Sequence, residues 1–209
     1  MVAGRHRLPP FVVLLVIVAI VGVELVLQAA DFGLVGQTRW RSLAFQNFAF
    51  WPGLLGNWTP NYPVQPATMF TSYALVHSGL SHVLGNAITF ALLGPPVCDR
   101  FGQRGFAWIA VASAVGGALA FAALSDTPQP MVGASGVVFG LAGALTGALW
   151  TGPVDRARAA RTTGLIVAVL VGLNALVWWT LDGLLAWETH MGGFLAGFAM
   201  VFALPKARS

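Results

Sequence analysis

Charged side chains are scarce in this chain. They make up 9% of its 209 residues, while 57% are hydrophobic; a soluble domain carries nearer a quarter charged. The mean hydropathy of +0.77 agrees. This excludes a sizeable soluble domain, because apolar spans of about 20 residues each nearly use up the length. Cysteine is scarcer still. Cys98 stands alone, which excludes an intrachain disulfide and any Cys-x-x-C redox or metal motif. No repeat period, low-complexity tract or inverted symmetry of the transporter kind shows. A net charge of +4 and a pI near 10.2 would suit nucleic acid. The arginines are scattered through short segments, however, so membrane orientation accounts for them and no nucleic-acid partner is expected.

What is present reads as an all-α polytopic membrane protein, one domain over 1–209, with the lipid bilayer as its solvent. A short basic tail, 1–9, precedes a first span at 10–29. No small-x-small cleavage site precedes Asp31, so this run is read as a membrane helix and not a cleaved leader. Glu24 lies toward its far end, near the interface, where a structural role is expected; no cationic partner is evident for it. The segment 31–78 carries Arg39-Trp40-Arg41, then Phe45, Phe48, Phe50 and Trp51, and the prolines Pro52, Pro60, Pro63 and Pro66. Arginine mixed with aromatics suits the headgroup region, so a long interfacial outer loop with short helices is expected. Further spans are read at 79–95, ended by Pro95-Pro96, and at 106–124, 133–150, 164–181 and 189–204.

Six spans place both termini on one side. That side holds Arg5, Arg7, Arg100, Arg104, Arg156, Arg158, Arg161, Lys206 and Arg208, nine in all, against Arg39 and Arg41 on the other. The positive-inside rule makes the termini cytoplasmic. The short tail and lack of appended domains suit a bacterial plasma membrane. The second, fourth and sixth spans then all enter from outside. His82 with Asn86, Ser135 and His190 come to a common depth of roughly 5–10 Å below the outer surface, at the rise of an α-helix.

Ser135 sits in Gly133-Ala134-Ser135-Gly136, a weak pattern alone, since a serine among small residues can simply bond back to the preceding turn. Its companions change its meaning. His190, Gly193 and Gly197 form one stripe of the sixth span, and Gly136 and Gly140 one stripe of the fourth. Small residues allow the close backbone approach that a base needs to reach a hydroxyl. Ser135 reads as nucleophile and His190 as its base, with His82, Asn86 and the Ser135 N–H as oxyanion donors. Glu188 lies about 160° around the helix from His190, so a two-residue Ser–His pair is expected without a third acid. His77 and His82 are five apart and lack an acidic third ligand in their span, which argues against a metal.

His77-x4-His82-x3-Asn86, Gly133-Ala134-Ser135-Gly136 and His190-x2-Gly193-x3-Gly197, in that order, resemble the rhomboid family of intramembrane serine proteases. The resemblance covers 73–204. It implies a six-helix bundle, a Ser135–His190 dyad, a water-filled cavity open to the outside, no cofactor, and single-span membrane proteins as substrates. It also gives supporting places to His77, Gly133 and Phe139, the last standing where some members have Tyr and able to stack under His190. The chain departs from the family at Thr68-Met69, where many members carry Trp-Arg, and at Cys98, which replaces a glutamate. Two other classes stay open. A catalytically silent relative binding membrane-protein clients would be marked by loss of Ser135 or His190. A small transporter would need broken helices or paired intramembrane charges.

Overall fold

A computed structural model describes residues 9–204. The basic tail but for Pro9, together with Lys206 and Arg208, lies outside the described residues. Among those described the chain is helical. The α-helices are α1 (Phe11–Asp31), α2 (Trp40–Phe48), α3 (Gln65–Ser72), α4 (Leu80–Leu124), α5 (Ser135–Thr151), α6 (Arg156–Thr180) and α7 (Trp187–Met200), with 3-10 turns at Pro52–Leu55 and Tyr73–Leu75. Three of them, α1, α4 and α6, are long and apolar enough to cross a membrane, and α5 is apolar but shorter.

Two expected boundaries are corrected. The helix does not end at Pro95-Pro96 but runs through both prolines. A proline pair stops a helix in water; in an apolar bundle, neighbours can re-satisfy the freed backbone groups. The true break is at Gly102 (φ 72°, ψ 169°), in a region essentially closed to side chains. α4 is therefore two helical arms meeting at Gly102, flanked by Arg100 and Arg104. The basic stretch 152–163, expected as a loop between the spans at 133–150 and 164–181, is helix from Arg156 on. Asp155 caps it, its Oδ2 accepting the Arg158 N–H at 3.0 Å, which satisfies an orphan first-turn donor.

The bundle is closed by small residues. A Cβ on Gly193 would fall on the Gly136 carbonyl oxygen, and one on Gly197 on that of Gly140. On its other side α7 meets α4, where a Cβ on Gly192 would fall on the Gly116 carbonyl. α7 is thus gripped between the second arm of α4 and α5. α1 packs against the first arm, with Val13 seated at Gly94. Gln103 Oε1 caps α1 by accepting the Val12 N–H at 3.1 Å. α6 stands outside; Ala159 alone among its residues is buried.

The outer segment carries α2 and α3, and partly buried polar bonds tie it down. Glu24, 0% exposed, has a cationic partner after all: Arg41 reaches it with both terminal nitrogens, at 2.9 and 3.0 Å. The sequence hid this pair because the partners lie in different elements. Arg41 also bonds Asp31 at 2.6 Å and the His77 carbonyl at 2.9 Å. The Glu24 bond, outweighing the opposing effect of burial, raises the guanidinium pKa above its ordinary value.

Removing one member of a buried pair strands the other, at a cost of about 3–5 kcal/mol, whereas removing both is far milder. Arg41→Met should therefore lower the unfolding midpoint in detergent more than Glu24→Leu/Arg41→Met does. A double variant as unstable as the single one would show that the stranded charge is not the cause.

Candidate active site

Ser135 is placed by the two residues before it. Gly133 has φ +112°, and a Cβ there would strike the His82 ring, so both its backbone angle and its space require glycine. Its N–H donates to the Tyr73 carbonyl at 3.0 Å. The Ala134 N–H donates to His77 Nε2 at 3.2 Å. The chain is thereby held at the mouth of α5, and Ser135 opens the helix. The first-turn N–H groups of a helix lack intrahelical acceptors, and the positive end of the helix dipole lies there.

His190 comes to the same point on α7. Its Nε2 lies 2.7 Å from Ser135 Oγ. The ring is buried and stacks on Phe139, centroids 4.2 Å apart and planes within 4°. That stack leaves the ring only its in-plane bonds. Beyond it, an apolar cavity of about 600 Å³ between α6 and α7 is lined by Phe139, Asn174, Trp178, Trp187, His190 and Met191 among others.

The other candidates fall nearby. His82 Nδ1 is 3.0 Å from Ser78 Oγ, and its ring meets His77 edge-on at 5.0 Å. Asn86 is buried, and one of its amide hydrogens goes to the His82 carbonyl at 3.2 Å, leaving the other. Glu188 is buried on α7 but makes neither ring bond of His190. Among the described residues, no three His, Cys, Asp or Glu side chains gather as a metal-ligand set.

One residue escaped the sequence reading. His190 Nδ1 lies 2.6 Å from Asn174 Oδ1, and Asn174 Nδ2 donates to the Leu170 carbonyl at 2.8 Å. A signal existed: Asn174 is the only amide, hydroxyl or charged side chain from 164 to 179. A polar group amid apolar neighbours is costly unless bonded. An amide oxygen accepts from an imidazole N–H as a carboxylate does, but this one stands on another helix, which sequence spacing does not connect to His190.

Comparison with known proteins shows the family. A family model described as "Rhomboid domain" matches residues 64–207, which takes in Ser135 and His190. The chain is 33% identical over 134 residues to RHOMBOID-like protein 5 of Arabidopsis thaliana, covering 62% of this chain and 41% of that protein. It is 30% identical over 135 residues to Rhomboid protease GluP of Bacillus subtilis (strain 168), covering 64% of this chain and 25% of that protein. The matched part is thus less than half the length of either relative. With the family model spanning well over half of its residues, this chain belongs to the rhomboid family.

Proposed function

We propose that the chain is an intramembrane serine protease that hydrolyses peptide bonds of membrane-protein substrates at or near the outer face. The carrying observation is the 2.7 Å separation of Ser135 Oγ and His190 Nε2, within the reach a base needs. Ser135 attacks the scissile carbonyl while its proton passes to Nε2. His190 then returns that proton to the leaving amine, and a water activated by the same nitrogen releases the acyl-enzyme. The oxyanion forms at the N-terminus of α5. There the Ser135 N–H, the second amide hydrogen of Asn86 and His82 Nε2–H donate to it. His82 can do so when the Ser78 hydroxyl donates to its Nδ1, which fixes the Nε2–H tautomer.

We further propose six crossings, the two arms of α4 counted separately, with both termini cytoplasmic. The nine-to-two split of basic residues supports this. Substrates are proposed to be single-span proteins with helix-breaking sequence near the outer face, since a regular helix hides its carbonyls.

Purified Ser135→Ala should lose both proteolysis of a single-span substrate panel and labelling by a fluorophosphonate. His190→Ala should do the same, and the two losses should not add, because nucleophile and base act as a unit. Asn86→Ala and His82→Ala should keep measurable turnover, reduced about 10²–10³-fold. Glu188→Gln should change little. Substantial cleavage by Ser135→Ala would end the assignment, and a wild type that cleaves nothing would favour a client-binding role.

Orientation is read separately. Cys98 is buried, so it is replaced by alanine and single cysteines are introduced at the exposed Asp126 and Arg158. An impermeant maleimide should label Asp126→Cys in intact cells and Arg158→Cys only after lysis. The reverse pattern would invert the topology.

A further inference from the structure

We propose that Asn174 is a positioning residue that holds His190 in the one neutral tautomer able to act as a base toward Ser135; this rests on the protease assignment above. Three observations carry it. The Asn174 amide is oriented by its own helix: Nδ2 donates to the Leu170 carbonyl at 2.8 Å. A flipped amide would face that carbonyl with oxygen and lose the bond, so Oδ1 is the atom presented to the ring. That oxygen lies 2.6 Å from His190 Nδ1. A carbonyl oxygen only accepts, so Nδ1 carries the ring proton. The lone pair of neutral imidazole is then left on Nε2, 2.7 Å from the Ser135 hydroxyl.

The opposite tautomer would set Nε2–H against the hydroxyl and Nδ1 lone pair against Oδ1. The first loses the acceptor for the serine proton, and the second opposes two acceptors. Phe139, stacked on the ring face, confines rotation to the ring plane but does not choose between nitrogens. Asn174 makes that choice. It does so from α6, an element that shares little packing with the rest, so the bond also joins a peripheral helix to the base.

Nitrogen-15 histidine NMR in detergent, without substrate, reads the tautomer directly; the His190 signals are those lost in His190→Ala. Wild type should show the proton on Nδ1. Asn174→Leu, which keeps an apolar side chain of similar size, should lose that signature and fall about 10²-fold in kcat, the order expected when a catalytic group loses its geometry, with KM little changed. Asn174→Asp keeps an acceptor and should keep both the Nδ1–H signature and a kcat above that of the Leu variant. A wild-type His190 protonated on Nε2 overturns the proposal. So does a Leu variant with wild-type kcat, or one whose kcat falls while its Nδ1–H signature persists, since Asn174 would then only hold α6 in place. The tautomer measurement needs no substrate, so it judges Asn174 even if the wild type cleaves nothing. If Asn174→Leu does not fold, the wild-type and Asp spectra decide.

Discussion

The site depends on α5 and α7 lying backbone against backbone. Gly193 faces the Gly136 carbonyl and Gly197 that of Gly140, with no room for a methyl group at either. In a membrane there is little hydrophobic force between apolar helices, so close packing of small residues holds them together. Those contacts begin at the residue directly after Ser135 and about one turn beyond His190. Any side chain added at the interface would widen the gap where the hydroxyl meets the imidazole. The same glycines that let the helices associate therefore set the distance on which the proposed chemistry depends.

A second line of bonds reaches Ser135 from the opposite side. Glu24 in α1 holds Arg41 of the outer segment, Arg41 holds the His77 carbonyl, and His77 Nε2 holds the Ala134 N–H beside Ser135. Each link satisfies a group that would be costly if left bare away from water. The outer segment is thus fastened to the first helix and to the turn that presents Ser135. A conformational change there would have to break an ion pair whose carboxylate is fully buried. The histidine that anchors the turn, His77, is distinct from His82, which lies against Gly133.

Much of this was legible in the sequence, for physical reasons that differ by residue. Apolar runs and scarce charge mark the helices because lipid tolerates little else. Ser135 and His190 stand out together because charge counting predicts a common depth for them and glycine stripes mark the faces on which their helices meet. What escaped was tertiary or local in cause. Arg41 and Glu24 are seventeen residues apart, and no periodicity links a loop residue to a helix residue. Pro95-Pro96 carried a stop signal calibrated on water, while Gly102, one glycine among 25, breaks the helix by a backbone angle that composition does not reveal. Asn174 stands alone among apolar residues from 164 to 179, where its isolation is itself the clue.

An amide, where soluble serine proteases use a carboxylate, fits the surroundings of His190. A charge beside an apolar cavity and a lipid-facing helix is expensive, and a carboxylate that took up a proton there would no longer be a pure acceptor. Asn174 is neutral at every pH, and the Leu170 carbonyl fixes which of its atoms faces the ring. It selects a tautomer without burying a charge. In the proposed reaction this leaves an asymmetry. The oxyanion forms where helix α5 contributes its positive end and several donors converge, whereas the imidazolium gains only the dipole of one amide. Stabilisation of the transition state thus falls mainly on the oxygen that becomes negative, and His190 serves as a correctly protonated but weakly supported base.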